Sequence, residues 1–60
     1  MTKTPKTAYI IIADGEVDQV CETQLGSVAV MSRLHAKGHS VYIVSAPWEK
    51  QDAVIDRLQG

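Results

Sequence analysis

Asp18, Cys21, His35 and His39 are the residues of this chain whose types and spacing could do chemistry. The pattern Asp18-x2-Cys21-x13-His35-x3-His39 offers a carboxylate, a thiolate and two imidazoles, a donor set that suits tetrahedral Zn²⁺. A hairpin followed by a helix would carry Cys21 toward the histidines, whose spacing is that of a zinc finger. The same groups offer a second chemistry, with His35 or His39 activating the Cys21 thiol as a nucleophile. Each scheme asks for more than the sequence holds. Structural zinc sites favour two or more thiolates, and Gly38 interrupts any helix between the two histidines. A nucleophilic cysteine needs a third group to orient its base, and none is visible. Ser27, Ser32, Ser40 and Ser45 sit in no nucleophile-elbow context, and no glycine-rich phosphate cradle follows the first apolar run. The preferred expectation is Cys21 as a small buried apolar side chain, with no metal, no cofactor and no enzymatic activity.

The elements that would position these residues follow from pattern. Met1 to Thr7 is polar and contains Pro5, so residues 1–7 read as a flexible lead-in to one small domain over 8–60. Ala8 to Ala13 is an apolar β-former run that meets Asp14-Gly15, the dipeptide of a type I′ hairpin turn. Glu16 to Glu22 alternates imperfectly but carries Val17, Val20 and Cys21, which predicts a returning strand. Thr23 is placed to cap a helix over Gln24 to Lys37, with Gly38 as its C′ residue. Leu25, Val28, Met31 and Leu34 recur at three-residue steps and mark its expected apolar stripe. Val41 to Val44 forms a nearly continuous apolar strand, expected at the centre of the sheet. Pro47 and Glu49 then open a second helix bearing Trp48, Val54, Ile55 and Leu58. The expected fold is α+β: a ββαβα domain, a three-stranded sheet with both helices on one face. A rival βαβα order would run one helix from Glu16 to Lys37, with Gly26 in its interior at a cost of about 1 kcal/mol.

Under that rival order, Ile10 to Gly15 followed by Val41 to Ser45 resembles the first two motifs of haloacid-dehalogenase-type phosphatases. Their nucleophilic aspartate would fall on Ile12, and an aliphatic side chain cannot attack phosphorus. Leu34 to Val41 is similar to the helix-to-strand crossing of nucleotide-sugar glycosyltransferases, but it carries no donor-binding residue. Neither resemblance implies an activity for this chain.

Composition bounds the remaining choices. Six Lys and Arg face seven Asp and Glu, so the chain lacks the basic excess of a dedicated nucleic-acid binder. No apolar run approaches the roughly 20 residues of a membrane helix, and a single cysteine is compatible with a reducing cytoplasm. A chain of this size hides only about 60% of its unfolded surface, which makes a homodimer a natural source of stability. By exclusion the expected function is that of a small protein-binding module, an inhibitor or adaptor of the kind phages and mobile elements encode. Trp48, Tyr42, Tyr9, Arg33 and Lys37 are its candidate contact residues. A nucleic-acid-binding regulator using Arg33, Lys37, Lys3 and Lys6 is the alternative, with tyrosines on an open sheet face stacking on bases. A small zinc-binding domain is a third.

Overall fold

A computed structural model describes residues 6–59. The elements run β1 (Thr7–Ala13), β2 (Glu16–Cys21), α1 (Gln24–Ala36), β3 (Val41–Pro47), a 3-10 turn (Trp48–Lys50) and α2 (Gln51–Gln59). The chain therefore has the expected ββαβα order. The proposed lead-in falls mostly outside the described residues, and Thr7 already belongs to β1.

The hairpin forms for the reason its turn dipeptide predicts. Asp14 and Gly15 both adopt positive φ, at 53° and 83°, the combination a type I′ turn requires. The imperfect alternation of the returning strand also has a local cause. Ile11 pairs with Gln19 while Ile12 pairs with Val17, so Asp18 is the extra residue of a β-bulge. The bulge lets Val17 and Val20, three positions apart, pack against the same cluster.

The sheet order is β2-β1-β3, with both outer strands antiparallel to β1. This corrects the expectation that the Val41 to Val44 run is central. That place belongs to β1, where Ile10, Ile11 and Ile12 are all essentially inaccessible to solvent. Neighbouring residues of a strand point to opposite faces, so β1 is covered on both sides. Ile10, Ile12 and Ala46 form one cluster with Val17, Val20, Val44 and, from α2, Val54 and Ile55. Ile11 points the other way, where α1 lies across the sheet. The two helices thus take opposite faces, not one. Three consecutive isoleucines leave no solvent face on the strand, and a single helix layer would have exposed Ile11.

Thr23 caps α1 as expected, its hydroxyl accepting from the Gly26 N–H at 3.1 Å. The inward stripe of α1 differs from the predicted one. Ser27 is fully buried, Val30, Met31 and Leu34 are half-buried, and Leu25 is 83% exposed. At about 100° per residue, four positions at three-residue steps drift through about 180°, so Leu25 and Leu34 cannot share a face. The set 27, 30, 31 and 34 stays within about 100° of arc. Ser27 is tolerated there because its hydroxyl donates to the Gln24 carbonyl at 2.6 Å.

Candidate functional site

Three places on this fold carry functional side chains. The first is the hairpin turn. The turn conformation of Asp14 aims its carboxylate at the loop between α1 and β3, where Oδ1 accepts from the Ser40 N–H at 3.0 Å. Oδ2 lies 2.7 Å from Nδ1 of His39, and the Asp14 N–H donates to the Ser40 carbonyl at 2.8 Å. The Ser40 backbone bond and then the His39 contact hold the Asp14 carboxyl below the usual aspartate value. Chemically this is an Asp–His pair with the far imidazole nitrogen open. A general base also needs a reacting group within hydrogen-bond reach, and the described side chains bring none to it. Its evident work is to tie the β1–β2 turn to the start of β3.

The second place is the opposite end of the sheet. Lys6 stands 4.3 Å from the ring centroid of Trp48 and 3.3 Å from a carboxylate oxygen of Glu22. The Trp48 N–H donates to the Lys6 carbonyl at 2.9 Å, and the Gln51 side-chain amide donates to the Trp48 carbonyl at 3.1 Å. Trp48 is therefore a half-buried closing residue of the sheet. Beside it Lys6, Thr7, Ser45, Ala46 and Pro47 line an open depression of about 290 Å³. One cation and a shallow floor define no substrate class.

The third place is the outward face of α1, which the sequence pattern assigned to the core. Leu25 is 83% and Val28 44% exposed, and Ala29, Ser32 and Ala36 are exposed on the same face. Arg33 and Lys37 are exposed toward the far end of this helix. The signal was present in the sequence, since α1 carries more apolar residues than one buried stripe can hold.

The structure disperses most of the predicted contact residues. Tyr42 is 51% exposed near the start of β3, and Trp48 follows its end, about 20 Å away at strand rise. Tyr42 pairs with Ile12 and Tyr9 with Ser45, so the two tyrosines lie on opposite faces of the sheet. No open face carries an aromatic pair for stacking on bases. The zinc set is not assembled either: among the described residues no three His, Cys, Asp or Glu side chains are grouped to hold a metal. His39 is engaged by Asp14, and Cys21 is a half-buried free thiol on β2. Among the described residues, no helix is long and apolar enough to cross a membrane. Comparison with family models, with curated proteins and with solved structures finds no match to this chain.

Proposed function

We propose that this chain is a non-enzymatic protein-binding module, an inhibitor or adaptor that acts by covering a surface of another protein and that also associates with itself. One observation carries this reading: the apolar outward face of α1, with Leu25 and Val28 held in solvent on a helix whose other side is already packed. Exposed large aliphatics grouped on a rigid helix are what a helix-in-groove contact uses. Fully burying an exposed Leu or Val side chain contributes about 1.5–3 kcal/mol, and Leu25 with the exposed part of Val28 supplies part of what such a contact needs. Arg33 and Lys37 would sit at its rim, where charge tunes orientation and on-rate more than affinity. A reducing cytoplasm suits the free Cys21 thiol.

The test is a nuclease-treated pull-down from source-organism lysate with the wild-type chain and with Leu25→Asp/Val28→Asp. One protein retained in stoichiometric yield by wild type and lost from the folded variant is the expected result. Equal capture by both chains, or capture of nucleic acid that Arg33→Ala/Lys37→Ala abolishes, would overturn it.

A further inference from the structure

We infer that β3 pairs along the edge that the described residues leave open, antiparallel, with β3 of a second copy, joining two three-stranded sheets into one continuous sheet. This takes up the self-association part of the proposed function and does not depend on which protein α1 engages. The hydrogen-bond phase of the sheet identifies the groups involved. Asp14 donates to Ser40 and Trp48 donates to Lys6, two bonds that fall at opposite ends of the β1–β3 register. Bonded pairs alternate along an antiparallel ladder, so residues 40, 42, 44, 46 and 48 turn their backbone groups toward β1. Val41, Ile43 and Ser45 therefore direct their N–H and carbonyl groups away from the sheet, joined by the Pro47 carbonyl.

The two edges of the sheet are built differently. On the β2 side the ladder is broken by the Asp18 bulge, and Glu16, Asp18 and Glu22 are exposed along the strand and just past it. A bulge and like charges are the devices that stop an edge from pairing. The β3 edge, Val-Tyr-Ile-Val-Ser-Ala-Pro, has neither: its β1 register is unbroken and it carries no charged residue. A strand without charge meets its own copy across a two-fold axis with no like-charge contact. With one edge open and the other defended, growth stops at two copies, a closed isologous pair and not a filament. Two registers, centred on Ile43 or on Val44, satisfy the outward N–H groups of Val41, Ile43 and Ser45 in both chains. In either one the exposed Tyr42 ring falls opposite Val44 or Ala46 of the second copy, which gives that ring an apolar neighbour.

The experiment is amide hydrogen exchange by NMR, with sedimentation mass, on the full chain over a concentration series. The expected result is a mass approaching twice the 6.6 kDa of one chain. Exchange at Val41, Ile43 and Ser45 should slow at least tenfold with concentration, well beyond any change at Tyr42 and Val44. Ser45→Pro, which removes one outward donor, and Ser45→Lys, which charges the edge, should both stay folded and weaken the dimer at least tenfold. A chain that stays at 6.6 kDa throughout overturns the pairing and leaves the α1 contact to be judged by its own test. A dimer whose Val41, Ile43 and Ser45 amides still exchange fast, and which Leu25→Asp dissociates, also overturns it and moves the interface to α1. Protection of those amides only when the captured protein is added overturns it in favour of a strand from that partner.

Discussion

Asp14 does two jobs with one side chain and one unusual backbone angle. Its φ of 53° turns the hairpin, and that turn points the carboxylate at Ser40 and His39. The pH consequence follows from the direction of its shift. A folded-state value below the ordinary 3.8 means the carboxylate's contribution is complete above that pH and is lost as pH falls through the folded value. Asp14→Asn keeps an acceptor for the Ser40 N–H and tolerates positive φ but removes the charge. Its urea midpoint should therefore vary less than that of wild type between about pH 5 and about pH 2, and an equal slope in both proteins would contradict the assignment. Gly15 has open space where a Cβ would stand, so any penalty there is purely conformational. Gly15→Val should cost about 1–2 kcal/mol in denaturation, the strain of a β-branched residue at positive φ. Gly26 is the converse case. Its φ is unremarkable, but a Cβ would lie 2.9 Å from the Thr23 hydroxyl that caps the helix. Gly26→Ala should gain little in wild type, because about 1 kcal/mol of helix propensity is set against the cap. In a Thr23→Ala background the same change should stabilise by about 1 kcal/mol, and thermal melts of the four proteins close that cycle.

At the scale of elements, the most telling segment is α1. The capping threonine, the C′ glycine and the length of the helix were all legible, since each rests on local chemistry. The face it buries was not. Leu25, Val28, Met31 and Leu34 look like a stripe in one dimension, yet the drift of three-residue steps carries them around the helix. The stripe that packs contains Ser27, which a hydrophobicity pattern alone would place outside. Two substitutions separate the faces. Leu25→Asp should leave stability within about 0.5 kcal/mol, as expected for an exposed site, and should act on partner binding instead. Ile11→Ala and Ile10→Ala should each cost about 2–5 kcal/mol, because helices seal both faces of β1. If Ile11→Ala were much cheaper than Ile10→Ala in chemical denaturation, the two-sided arrangement would be wrong.

The whole molecule is a narrow sheet with a helix on each face, and under the proposed pairing a second copy would add stability that a larger core otherwise provides. Folding coupled to pairing makes the melting temperature rise with protein concentration, whereas a self-sufficient monomer melts at one temperature throughout. We expect that rise for the wild type and its disappearance in Ser45→Lys, read by calorimetry over a hundredfold dilution series. By itself the sequence determined the order of elements, the type I′ turn, the helix caps and the near-neutral charge. These depend on backbone preferences and composition that act within a few residues. Only the tertiary structure decided that β1 and not β3 is central, that the helices take opposite faces, and that Asp14 meets His39 and Ser40. It also dispersed Asp18, Cys21, His35 and His39, and it set Tyr9 and Tyr42 on opposite sides of the sheet. The reason is geometric. β1 and β3 both carry apolar runs, and which of them is central depends on the partner each finds across the loop and helix between them. That pairing is a long-range choice, which local periodicity does not encode.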